Sequence, residues 1–182
     1  MYLTRPFDYV WSFALVVLIL VTVIFSHGLN LPEFMTWSWF SLFSGNSDDV
    51  GNVMTKPLTS GSIPLILLFW IILSLSLPYL AKMEEQIFRS NILTLKGRII
   101  YSIYFGFAHM IMGVNITVSL ALSLVGFIYS MFYVNAYSKE FKLNPNKADY
   151  VATLVSSSIH TKYNFILVTL LALSSILLCI LK

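Results

Sequence analysis

The sequence predicts an all-α fold: a polytopic transmembrane helical bundle of about five spans, with an interfacial aromatic segment after the first. Three observations predict it. Of the 182 residues, 58% are hydrophobic and only 10% charged, where soluble domains carry about 25% charged residues. The mean hydropathy is +0.82, and the apolar residues gather into runs that approach or exceed the roughly 20 residues a spanning helix needs. The basic residues stand at the ends of these runs, as membrane-flanking anchors do.

The elements follow in chain order, as one transmembrane domain over residues 1–182. Residues 10–29 form an apolar anchor helix; "VIFSHGLN" lacks the small-residue cleavage site of a signal peptide. Residues 30–62 are the one long polar segment and read as an extracytoplasmic interfacial loop. Within it "LPEFMTWSWFSLF" suits a helix lying in the interface, and "SGNSDDVGN" is rich in turn formers. Residues 63–181 form the helical core. A single helix is expected from about Ser62 to Leu95, with Pro78 as a candidate kink, followed by a turn at Lys96–Gly97. Arg98 to Met112 and Val114 to Ala136 read as further spans, and the "SKEFKLNPNKAD" loop leads to a last apolar segment, Tyr150 to Leu181. That segment is either one tilted helix or two pieces broken near Lys162.

With a cytoplasmic N-terminus, Arg5, Lys82, Arg89, Lys96, Arg98, Lys139, Lys142 and Lys147 all fall on or near the cytoplasmic side, as the positive-inside rule requires. The expected location is a bacterial inner membrane. The net charge of +3 is scattered along the chain, which gives no nucleic-acid-binding surface. The single cysteine, Cys179, excludes an internal disulfide and a multi-thiolate metal site. "NIT" at Asn115 matches a glycosylation acceptor but sits at a tight turn, and His27 reads as structural.

Ionisable side chains at membrane depth cost about 2.5–3.5 kcal/mol each on the mildest scale, and usually serve a function. Glu84 lies twelve residues before Lys96, and His109 twelve after Gly97. A hairpin turning there would place them level, about 18 Å from the turn. A carboxylate facing an imidazole can act as general base on a water. Glu85 precedes Arg89 by four residues, the order that favours an i,i+4 ion pair; this pair would brace the helix. His160 and Asn164 share a helix face and offer donors to a forming oxyanion. Ser156, Ser157 and Ser158 read as small residues that let helices approach.

In order, "EEQIFR" (Glu84–Arg89), "FGFAH" (Phe105–His109) and "HTKYN" (His160–Asn164) resemble the EExxxR, FxxxH and HxxxN motifs of the CPBP family, the CAAX-protease and bacteriocin-processing or Abi family. The resemblance covers about Leu65 to Leu178. With four Glu and three Arg in the chain, the first motif is fairly specific. The resemblance implies an intramembrane endopeptidase of the glutamate type, without a cofactor. Glu84 and His109 would activate water, His160 and Asn164 would stabilise the oxyanion, and Glu85 and Arg89 would support the site. The partners implied are membrane lipid and a membrane-associated peptide or protein substrate. The chain departs from the family pattern at Ser90, where glycine is usual, in its smaller number of spans, and in carrying Lys162 inside the third motif. Two other readings stay open: a non-proteolytic scaffold, immunity factor or accessory subunit of a membrane complex with partner subunits, and a zinc enzyme using one carboxylate and two His.

Overall fold

The computed structural model describes residues 6–28, 35 and 62–181. Apart from Met35 and Ser62, the expected interfacial segment at 30–62 lies outside the described residues, as does the side chain of His27. Among the described residues there are five α-helices and no strand. They are α1 (Pro6–Gly28), α2 (Ile63–Phe88), α3 (Leu95–Ala108), α4 (Ile116–Phe141) and α5 (Ala148–Ile180), with 3-10 turns at His109–Met112 and Pro145–Lys147. Three stretches are long and apolar enough to cross a membrane: Ile63–Phe88, Ile116–Phe141 and Pro145–Leu177. The all-α bundle is therefore that of an integral membrane protein.

Several boundaries differ from those expected, each for a local reason. The helix expected to reach Leu95 ends at Phe88. The N–H groups of Arg89 and Ser90 both donate to Glu85 O, at 3.0 and 3.2 Å, and Asn91 turns the chain in the left-handed conformation at φ 61°. Asparagine is among the few non-glycine residues that adopt this region readily. Lys96–Gly97 is not the turn but part of the first turn of α3, where Thr94 Oγ1 accepts from Gly97 N at 3.2 Å and caps the helix. With 14 residues, α3 rises only about 21 Å, short of a full span; its path continues as the 3-10 turn, which Gly113 closes at φ 85°. Asn115 caps α4, its Oδ1 accepting from Val118 N at 2.9 Å. α4 runs on to Phe141, five residues beyond the expected end, and α2 continues through Pro78. α5 is one unbroken helix of 33 residues.

The pairing of helices also departs from the expected hairpin. α2 runs antiparallel to α5, pinned by Trp70 Nε1 to Thr169 Oγ1 at 3.1 Å and by Ser90 Oγ to Asp149 Oδ1 at 2.9 Å. α3 instead lies along α4. Gly106 makes that approach possible: a Cβ there would stand 2.2 Å from Ser119 O and 2.1 Å from Ser123 Oγ. Small residues at a membrane helix interface let backbones come close and gain dispersion contacts. α2 and α3 meet only locally, at the edge-on rings of Phe88 and Phe105, 5.6 Å apart. α1 fits against α4 and α5, and its Leu15, Val16 and Ile19 join Leu122, Val125, Tyr129, Ile159 and Tyr163 in the core.

Candidate functional site

Of the polar residues singled out from the sequence, Glu84, Glu85, Arg89, Ser156 and His160 gather where the last turn of α2 meets the middle of α5. Glu85 is fully buried and accepts from three side chains. Its Oε1 takes Arg89 Nη1 at 2.8 Å and His160 Nδ1 at 3.0 Å, and its Oε2 takes Ser156 Oγ at 2.5 Å. The i,i+4 spacing places Arg89 beside Glu85 on one helix face, so this part of the brace is local. The remaining partners come from α5, where Ser156 and His160 are themselves four apart and face α2 together.

Arg89 is also held from the other side. Its guanidinium lies 4.3 Å from the centroid of Phe105 and 5.3 Å from that of Tyr129, and Nη2 reaches Gly126 O at 3.4 Å. A side chain at position 126 would meet both Arg89 and Phe105, so glycine there makes room for the cation. Buried charges are tolerated when paired and hydrogen-bonded, and this pair is both.

His160 is 1% exposed and stacks on Tyr129, with ring centroids 4.6 Å apart. A salt-bridged carboxylate can only accept, so Nδ1 donates to Glu85. That leaves Nε2 directed at Glu84 Oε2, at 3.5 Å. Glu84 Oε2 is buried and receives no hydrogen bond, although the side chain as a whole is 25% exposed. The imidazole thus sits between two adjacent carboxylates, bonded to one and loosely facing the other.

His109 ends α3 and packs on the Phe105 ring, with centroids 4.7 Å apart. Its Nδ1 donates to Phe105 O at 2.8 Å; a carbonyl accepts only, so the ring presents Nε2 as its free nitrogen. The ring lies within electrostatic range of Glu84, His160 and Arg89. No hydrogen bond or ion pair joins it to Glu84, because α2 pairs with α5 and turns Glu84 toward His160. Asn164, one turn beyond His160, is half-buried.

Lys162 does not crowd the site. Two residues from His160, it points to the opposite side of α5, where Nζ pairs with Asp8 Oδ2 of α1 at 2.9 Å. Ser90 has a partner of its own, Asp149, the second residue of α5. Among the described residues, no group of three or more His, Cys, Asp or Glu side chains converges to hold a metal ion. Sequence reasoning placed Ser156 among helix-packing serines; its four-residue spacing from His160 was the available signal. Tyr129 and Asp149 carried no signal, since only the pairing of α4 and α5 with α2 brings them to the cluster.

No protein-family model matches the chain, and no curated protein or solved structure matches it.

Proposed function

We propose that the chain is an intramembrane endopeptidase of the glutamate type, similar to the CPBP family, cleaving a membrane-associated peptide or protein at the bacterial inner membrane. The N-terminus is cytoplasmic in this reading, which the distribution of flanking Lys and Arg supports. One observation carries the proposal. In a cluster whose other carboxylate is fully engaged, Glu84 keeps a buried oxygen that accepts no hydrogen bond and faces an imidazole nitrogen at 3.5 Å. A buried acceptor left open is costly in a purely structural site and is what a general base requires.

The chemistry follows from the donor and acceptor directions. A water between Glu84 and His109 gives its proton to Glu84 while His109 Nε2 orients it. The water oxygen then bonds to the scissile carbonyl carbon. The resulting oxyanion accepts from the Asn164 amide and from His160 Nε2, which donates only as an imidazolium because Nδ1–H is already given to Glu85. Collapse breaks the C–N bond, and the proton held by Glu84 passes to the leaving amine. Glu85 accepts Nδ1–H of His160 and so turns Nε2 toward Glu84, and Arg89 and Ser156 hold Glu85.

The test is cleavage of membrane-anchored reporter peptides in liposomes, with products identified by mass spectrometry. Glu84→Gln and His109→Ala are expected to abolish cleavage while the protein stays folded. Wild-type turnover in both variants would sink the proposal. Absence of cleavage together with fixed-stoichiometry co-purification of other membrane proteins would favour the accessory-subunit reading.

A further inference from the structure

The carboxylates of α2 sit in the last turn of a helix that ends without glycine or proline, so something must hold that end in place. Three contacts along α2 set its register on α5. Trp70 bonds Thr169 near one end, Glu85 bonds Ser156 and His160 inside the site, and Ser90 bonds Asp149 at the other end. Asp149, Ser156 and His160 are seven and four residues apart, so they lie along one face of α5.

Asp149 gathers three groups onto a single oxygen. Its Oδ1 accepts from Ser90 Oγ at 2.9 Å, from Asn91 N at 3.3 Å and from the Tyr133 hydroxyl. The Tyr133 oxygen in turn accepts from Asn91 N at 2.9 Å. Tyr133 is fully buried on α4, so the knot ties α2, α4 and α5 together at the residue where α2 stops. Asp149 also lies in the first turn of α5, where a carboxylate is favoured by the helix dipole.

We propose that Asp149 is a positioning residue, which clamps Ser90 and Asn91 so that the end of α2 presents Glu84 and Glu85 to His160. Ser90, at the position where the CPBP pattern has glycine, supplies the side-chain half of this clamp. Without it, the end of α2 is held only through Glu85 on α5 and through Arg89 against Phe105, Tyr129 and Gly126, and Glu84 loses its direction. The proposal deepens the peptidase reading and rests on it only for the activity measurement described next.

The test uses the full chain in nanodiscs with ¹⁵N-labelled histidine. The Nδ1–H resonance of His160 is assigned by its loss in His160→Gln. Asp149→Ala is expected to shift this resonance or broaden it through solvent exchange, with the helical circular-dichroism signal unchanged. Asp149→Asn, which still accepts through Oδ1, is expected to keep it largely in place. On any reporter that the wild type cleaves, Asp149→Ala is expected to lower kcat by about tenfold or more with little change in KM, since misplacement of reacting groups by about 1 Å costs up to a hundredfold. Should Asp149→Ala not fold, Ser90→Ala and Tyr133→Phe carry the same measurement with smaller expected shifts. A wild-type His160 resonance in all folded variants overturns the proposal. If the wild type cleaves nothing, the peptidase reading fails, and the His160 resonance alone decides whether Asp149 positions the site.

Discussion

Two ionic clusters lie on opposite sides of α5, two residues apart in sequence, and they are built differently. Asp8–Lys162 is a closed pair: one contact at 2.9 Å, side chains 15% and 11% exposed, with the Lys162 ammonium also over the ring of Tyr9. The cluster around His160 joins two helices through Glu84, Glu85, Arg89, Ser156 and His160, and leaves one buried carboxylate oxygen without a hydrogen bond. Both place charge among apolar helices, so charge within a helical bundle does not by itself mark a site. The difference lies in completion. Asp8–Lys162 joins α1 to α5 through one direct contact, whereas the His160 cluster leaves Glu84 Oε2, Arg89 Nε and Tyr129 Oη buried without a hydrogen-bond partner among the described residues.

The comparison can be broken by mutation, and the expected effects fall in a definite order. The largest is loss of turnover in Glu84→Gln, by about 10²–10⁴-fold as for removal of a general base, with thermal stability within a few degrees of wild type. Cleavage kinetics alongside a melting curve check both halves. Next is Arg89→Ala, which strands Glu85 as a buried unpaired charge and is expected to cost about 3–5 kcal/mol of stability, measured by denaturation in mild detergent. Ser156→Ala removes one hydrogen bond to the same carboxylate and is expected to cost about 1.5–3 kcal/mol, with part of the loss appearing as slower turnover. The smallest effect belongs to the other side of α5. Replacing both partners in Asp8→Asn/Lys162→Met is expected to change stability by no more than about 1 kcal/mol, since removing a whole buried pair is often neutral, and to leave turnover unchanged. A large activity loss in that double variant would erase the distinction between the two clusters.

Relations within one helix were legible in the sequence, because they depend only on the helical repeat. Glu85 and Arg89 pair at i,i+4, and His160 and Asn164 lie one turn apart along the same helix, both read from spacing. The twelve-and-twelve count between Glu84 and His109 was not a safe guide. It assumed that α2 continues to Leu95 and that neighbours in sequence pack as a hairpin. Asn91 ends α2 early, and α2 then pairs with α5 while α3 pairs with α4. Asn91 is a turn former within "RSNIL", but the residues that receive the turn, Tyr133 and Asp149, lie 42 and 58 residues further along.

By itself, the sequence determined an all-α membrane bundle and the residue types available for chemistry, because apolar run length and the 3.6-residue repeat are properties of local chain. Only the tertiary structure decided that Glu84 faces His160, that Lys162 turns away to Asp8, and that Asp149 holds the end of α2. Those choices depend on which helices pack together and in what register. That is set by small-residue approach at Gly106, by the room Gly126 leaves for Arg89, and by side-chain hydrogen bonds between distant segments.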